Sequence, residues 1–180
     1  MAKNPLNNLF VARATLDVTA ELAAGETFAA SNIWSSATSA VYDPVWIPEG
    51  AIITRAFYYV TTSLTDGGDD DTTVDIGITM DDDCILTAAL GVISDGTAAN
   101  MNSAVSTGNL DAGLHIGLLG TPALGADGAH DTAVEVAGLS AALMQTIIVN
   151  QAILVTNKVD VLSAGKMDIY VEYMLTGDLS

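Results

Sequence analysis

From residue 167 to residue 174 the chain alternates. Met167, Ile169, Val171 and Tyr173 fall on one side of an extended backbone, and Asp168, Tyr170, Glu172 and Met174 on the other. A period of two is the strand period, because successive side chains of a strand point to opposite faces. The same period runs through Thr73–Met80, where Val74, Ile76, Ile78 and Met80 share a face. It also runs through 15–22, where Leu16, Val18, Ala20 and Leu22 oppose Thr15, Asp17, Thr19 and Glu21. Clean apolar/polar alternation describes antiparallel strands with one face on a core and one in water.

Turn residues punctuate these runs. Gly25 follows the first. Ile47-Pro48-Glu49-Gly50 fits a type I turn, with Pro second and Gly fourth, and Ser163-Ala164-Gly165-Lys166 fits a type II turn, with Gly third. Residues 38–47 read as a further strand, which Pro44 confines to a sheet edge or a bulge. Ala51–Ser63 is rich in Ile, Thr, Phe, Tyr and Val and is apolar on both faces in places, as a central sandwich strand allows. Thr146–Thr156 is strand-like. Between 85 and 145, where 9 of the 16 glycines lie, short strands are expected near 85–92, 113–119 and 132–137, with a short helix at 137–145. Many short strands with Gly, Pro and Asp turns predict an all-β fold. The expected form is an antiparallel β-sandwich, jelly-roll-like, with long Gly/Ala-rich loops and little helix. Residues 1–10 read as a polar N-terminal arm, and 11–180 as a single sandwich domain.

Composition narrows the function. Half of the 180 residues are apolar, enough for a core rather than a disordered chain. No apolar run approaches the roughly 18 residues of a membrane helix, and the first residues lack the apolar stretch of a secretory signal. The single cysteine, Cys84, allows no internal disulfide and no cysteine-based zinc site, and reads as a small buried residue. Twenty-two acids against five bases give a net charge of -17, which repels phosphate. Nucleic acid and anionic membrane are therefore poor partners.

Few residues suggest chemistry. Asp66, Asp69, Asp70 and Asp71 fall in one loop and Asp81, Asp82 and Asp83 in another. Each loop could hold a cation weakly through hard oxygen ligands, but neither has the EF-hand spacing. An intervening strand of about ten residues would hold them roughly 33 Å apart, so no joint metal site is expected. Asp127, His130 and Asp131 lie in a Gly/Ala-rich stretch without the rigid support that a catalytic group needs. His115 reads as a strand residue between Leu114 and Ile116. No nucleophile elbow, P-loop, dinucleotide fingerprint or zinc-protease motif occurs. The expectation is a protein with no catalytic residues, no enzyme activity, no cofactor and no structural metal. The aromatics Trp34, Tyr42, Trp46, Phe57, Tyr58, Tyr59, Tyr170 and Tyr173 fall in expected strands and suit core and interface packing.

Two segments carry a resemblance. Trp46-Ile47-Pro48-Glu49-Gly50-Ala51-Ile52-Ile53, continuing into Thr54-Arg55-Ala56-Phe57-Tyr58, is one. Leu162-Ser163-Ala164-Gly165-Lys166-Met167-Asp168-Ile169-Tyr170-Val171-Glu172-Tyr173 is the other. Together they resemble small virion proteins of tailed bacteriophages. The resemblance implies a capsid decoration or cement protein on the capsid exterior, assembled in the host cytoplasm. It would bind the major capsid protein or other virion proteins and form homo-oligomers, trimers or dimers. Leu6, Leu9 and Phe10, apolar residues in the polar arm, are the expected partner-binding residues. The alternative is a tail-fibre or receptor-binding module that holds a host glycan.

Overall fold

The structure of the protein, a computed structural model, describes residues 9–66, 73–86, 113–116, 147–158 and 161–175. The described chain runs β1 (Leu9–Asp17), α1 (Val18–Ala23), β2 (Ile33–Ser35), β3 (Trp46–Ile47) and β4 (Ala51–Asp66). It continues through β5 (Val74–Ile78), β6 (Asp81–Leu86), β7 (Gly113–Ile116), β8 (Gln151–Asn157) and β9 (Leu162–Leu175). One sheet has the order β1-β9-β4-β7. The other has the order β2-β8-β5-β6, with β3 also on β8.

These orders have a simple origin. The antiparallel pairs β1–β9, β2–β8, β4–β7 and β5–β6 are nested, each enclosed by the one before, so they form one long hairpin. Two further antiparallel pairings, β4–β9 and β5–β8, roll that hairpin into two facing sheets. This is the eight-stranded double Greek key of a jelly roll, with β3 as a short addition. The fold is the all-β sandwich that the alternation predicts.

The core fills the space between the sheets. Ala12, Ala14 and Leu16 of β1, Ala56, Tyr58 and Val60 of β4, and Met167, Ile169 and Val171 of β9 form the inner face of the first sheet. Ile76, Ile78, Ile85, Ile153 and Val155 face them from the second. The buried parity of β9 is the one read from its sequence.

Several local readings are overturned. Strand structure stops at Asp17 rather than continuing to Leu22. The Asp17 carboxylate accepts the Ala20 N–H at 3.1 Å and caps α1, a cap of the usual Asp type. Val18 and Glu21, at helical spacing, then become the buried residues of α1. The Val18/Ala20/Leu22 alternation and the Val18/Glu21/Leu22 helical pattern share two residues, so periodicity over so short a span could not separate them. Residues 36–45 are turns and irregular backbone, and only Trp46–Ile47 pairs as a strand. Ser36 bridges that gap along β8: its hydroxyl accepts the Ile153 N–H at 2.9 Å and donates to the Val45 carbonyl at 2.8 Å.

The turn after Ile47 lies one residue later than expected. Ala51 N–H donates to the Pro48 carbonyl at 3.2 Å, and Gly50, third in the turn, has φ +84°, the conformation that a type II turn demands there. β8 begins at Gln151 rather than Thr146, after a bend that leaves Ile148 79% exposed. Asp81–Asp83 open β6 instead of closing a strand in a loop. Strands cover 81–86 and 113–116; the remainder of the strands expected near 85–92 and 113–119, residues 87–92 and 117–119, lies outside the described residues. The expected strand at 132–137 and helix at 137–145 lie outside the described residues.

Gly165 is not in a turn. It sits inside β9 at a break in the β4–β9 register, near the Thr62–Lys166 and Thr65–Ala164 pairs. Its φ is +121°, and a Cβ there would lie 2.6 Å from Leu64 Cα and 2.9 Å from the Ser63 carbonyl oxygen. Only glycine permits both the conformation and the approach. Gly165→Ala is therefore expected to destabilise the protein by about 2–5 kcal/mol, from backbone strain plus a clash with main chain that cannot swing away. Urea unfolding monitored by circular dichroism measures this, and a loss under about 1 kcal/mol would contradict the bulge geometry.

Candidate functional site

The first sheet turns an unusual face to solvent. Three strands build it in register: β1 with Val11, Arg13 and Thr15, β9 with Glu172, Tyr170 and Asp168, and β4 with Arg55, Phe57 and Tyr59. Tyr170 and Phe57 stack across β9 and β4 with ring centroids 4.8 Å apart and planes 10° apart. Arg13 lies over the Tyr170 ring at 5.8 Å and Arg55 over the Phe57 ring at 5.0 Å. The result is a cation–aromatic–aromatic–cation row across three strands, each contact of a kind that favours a stacked guanidinium. Val11 is 52% exposed and Tyr59 44%. The sequence held a signal for this row. Phe57 and Tyr170 occupy the polar parity of their strands, where an aromatic has no core to enter.

Ion pairs fix part of that face. Arg13 donates to Asp168 at 2.9 Å, and the Thr15 hydroxyl donates to the same carboxylate at 2.6 Å. The Asp168 hydrogen bond and charge hold the Arg13 guanidinium above its usual value. Lys166 donates to the Tyr42 hydroxyl at 3.1 Å and to Asp17 at 3.0 Å, and both contacts raise its affinity for its proton. Partial burial works against the Asp17 carboxylate, but its bonds from Lys166 and the Ala20 N–H prevail and hold it below the ordinary 3.8.

Beside β1 lies a groove of about 360 Å³, walled on the other side by residues 36–45. Arg13, Thr15, Trp34, Ser39, Tyr42 and Asp43 line it. Its floor depends on Glu21, a fully buried carboxylate. One oxygen of Glu21 accepts the Trp34 indole N–H at 3.0 Å and the Ser39 hydroxyl, and the other accepts the Ala40 N–H at 3.0 Å. Three neutral donors thus replace the water that burial removes. Among the described residues that line the groove, Asp43 is the one carboxylate.

The residues expected to bind a partner divide. Leu9 and Phe10 are not part of an arm: they are the first two residues of β1, opposite Met174 and Tyr173. Phe10 stacks on Tyr173 at 5.6 Å, while Leu9 remains 50% exposed. Leu6 lies outside the described residues, as do Asp69, Asp70, Asp71, Asp127, His130 and Asp131. Asp82 lies 3.8 Å from the Lys158 ammonium, which also pairs with the fully buried Asp75. Among the described residues no group of three or more acid, His or Cys side chains is placed to hold a metal. Of His115 and Cys84 the structure describes only the backbone, in β7 and β6.

No protein-family model matches the sequence, and no curated protein matches it significantly. Solved structures do. A chain of the cyanophage Pam1 capsid asymmetric unit aligns with 93% of this chain and 85% of its own length, at 13% identity and a TM-score of 0.52. A chain from the capsid of Ralstonia phage GP4 aligns with 97% of this chain and 90% of its own, at 14% identity and a TM-score of 0.48. One from the acid-stable capsid of Helicobacter pylori bacteriophage KHP30 aligns with 93% and 88%, at 15% identity and 0.45. At such identities the likeness is one of fold.

Two variants test the supports of this surface. Glu21→Ala takes the acceptor from the buried Trp34 indole and from the Ser39 and Ala40 donors nearer the surface, and is expected to cost about 1–3 kcal/mol. Trp34 fluorescence should shift to the red in the native state, and an unshifted spectrum with full stability would contradict the buried cluster. Asp17→Ala loses the helix cap and is expected to cost about 1 kcal/mol at neutral pH. A carboxylate with a depressed folded pKa stabilises above its unfolded value and loses that contribution as pH falls through the folded one. The gap between wild type and Asp17→Ala should therefore close as pH drops below 3.8. A gap that widens in acid would contradict the assignment.

Proposed function

We propose that this protein is a structural, non-catalytic component of a bacteriophage virion, seated on the capsid exterior as a decoration protein. The observation that carries the reading is the end-to-end correspondence of its jelly roll with a chain in the cyanophage Pam1 capsid asymmetric unit. The surface agrees with it. The described residues offer a broad face of stacked rings and guanidinium groups of the kind that suits a protein contact. The net charge of -17 also suits a protein that meets other proteins and not packaged DNA.

The mechanism is linkage. A protein that binds the assembled shell and not its free subunits stabilises the shell by mass action, with no chemical step. Homo-oligomers, dimers or trimers, suit the local symmetry axes that a shell presents. Attachment uses the apolar start of β1, where Leu9 and Val11 are half exposed, and the polar segment before it. Of the three apolar residues expected to act in that segment, Leu9 and Phe10 belong to β1, and Leu6 lies outside the described residues. Its burial returns about 1.5–3 kcal/mol, against roughly 1–2 kcal/mol per ordered residue. The segment therefore acts as an adjunct to the strand, not as the main anchor.

Two measurements test the proposal. Purified particles should carry the protein in many copies on their outer surface by electron microscopy. A few copies confined to the tail would favour the glycan-binding module instead. Deleting residues 1–8 leaves β1 intact, so the unfolding midpoint should stay within about 2 °C. Particle occupancy at limiting protein should fall. Unchanged occupancy would remove the N-terminal segment from the attachment.

A further inference from the structure

The aromatic face carries an unsatisfied pair of charges. Arg55 and Glu172 are directly opposed on β4 and β9, yet the Arg55 guanidinium lies over the Phe57 ring at 5.0 Å instead of reaching across. Neither side chain makes an ion pair among the described residues. Arg13, Lys158 and Lys166, by contrast, are each matched to a carboxylate of their own chain. The face therefore presents one uncommitted base and one uncommitted acid, a strand apart, beside stacked rings.

We propose that two copies of this chain associate through this face, with Arg55 of one copy meeting Glu172 of the other. Three features select a second copy as the occupant. First, the surface carries both signs, so the same patch on another copy is complementary to it. Second, the chain has 22 acids and 5 bases, so copies repel one another wherever a base is absent. The Arg13–Tyr170–Phe57–Arg55 row places two of those five bases on a single face. Third, that face offers the aromatic and guanidinium groups that dominate protein contacts when desolvated. A guanidinium already resting over a ring, as Arg55 does over Phe57 at 5.0 Å, has less freedom left to lose on pairing with a carboxylate. The inference deepens the assembly role by naming where copies meet, and it is tested without particles.

The experiment is a charge-swap cycle on the full chain, read by sedimentation equilibrium from low to high micromolar concentration. Wild type is expected to self-associate. Arg55→Glu and Glu172→Arg should each weaken association by roughly tenfold or more, because like charges then meet across the interface. The double variant should recover most of the loss, since it restores opposite charges in the reversed sense. Arg55→Lys should fall between wild type and Arg55→Glu, keeping the charge but not the planar stack. Both positions are at the surface, so circular dichroism and unfolding midpoints should be unchanged. A wild type that stays monomeric across the range would overturn the inference. So would single variants that associate like wild type, or a double variant no tighter than the singles. Loss of particle binding by variants of a monomeric wild type would instead assign the face to another virion protein. Failure to bind particles by a wild type that self-associates through this face would count against the assembly role alone.

Discussion

The pairing of β4 with β9 is the contact on which the rest of the structure depends. It joins Ala51–Asp66 to Leu162–Leu175 across about a hundred residues of chain. It supplies the middle of the first sheet, and it turns nested hairpins into a closed roll. Without it, β1–β9 and β4–β7 would be separate ribbons, each exposing an apolar face. Such a contact is costly to form early, since the loop that it closes must lose its freedom before the ladder returns anything. Gly165 sits at its most demanding point. The bulge there lets β9 stay paired with β1 through Lys166 and Met167 while it shifts register against β4. One residue without a side chain thus reconciles two ladders.

A second layer of order comes from buried polar groups that fasten irregular segments to the roll. Glu21 gathers the Trp34 indole and the Ser39–Ala40 backbone region. Ser36 splices β2 to β3 along β8. The Asn157 amide donates to the Phe28 carbonyl at 2.6 Å and draws the segment before β2 onto the end of β8. Each replaces a stretch of backbone ladder with side-chain bonds, so segments without strand geometry are still tied to the roll. These ties also shape the groove beside β1, because its far wall is the segment that Glu21 and Ser36 hold.

What the sequence disclosed follows from which forces are periodic. Burial on one face of a strand repeats every two residues, so β5 and β9 and the sandwich class were legible. Capping and bulges are single-residue events and leave no period. Asp17 looked like one more polar position in an alternating strand because its role as a cap depends on the backbone turning after it. Gly165 looked like the third residue of a turn because glycine marks turns and bulges alike. Glu21 was assigned to a solvent face because a carboxylate is seldom buried. Only the later arrival of Trp34, Ser39 and Ala40, 13 to 19 residues on, makes that burial tolerable. The aromatic row was half legible. Parity set Tyr170 opposite the Met167/Ile169/Val171 face, but Phe57 lay in a run apolar on both faces, the two arginines belong to different strands, and cross-strand register is not written in either segment alone.

Charge sets the terms on which this protein can meet anything. With a net -17 on 18.5 kDa, copies brought close on a shared surface repel, but that repulsion fades within a Debye length of about 8 Å at physiological salt. Contact must then be won at short range, by burial and by local pairing. The protein commits Arg13, Lys158 and Lys166 to ties within its own chain. Those ties hold β1 to β9, the end of β8 to β5 and β6, and the cap of α1 to β9. They neutralise the buried Asp75 and the largely buried Asp168, which folding would otherwise leave alone at a cost, and the partly buried Asp17. Arg55 makes no such tie among the described residues and lies over the Phe57 ring, at one end of the row on the outward face. In the self-association proposed above, that unpaired cation on a face of stacked rings is where short-range attraction would have to outweigh the repulsion of the acidic surface around it.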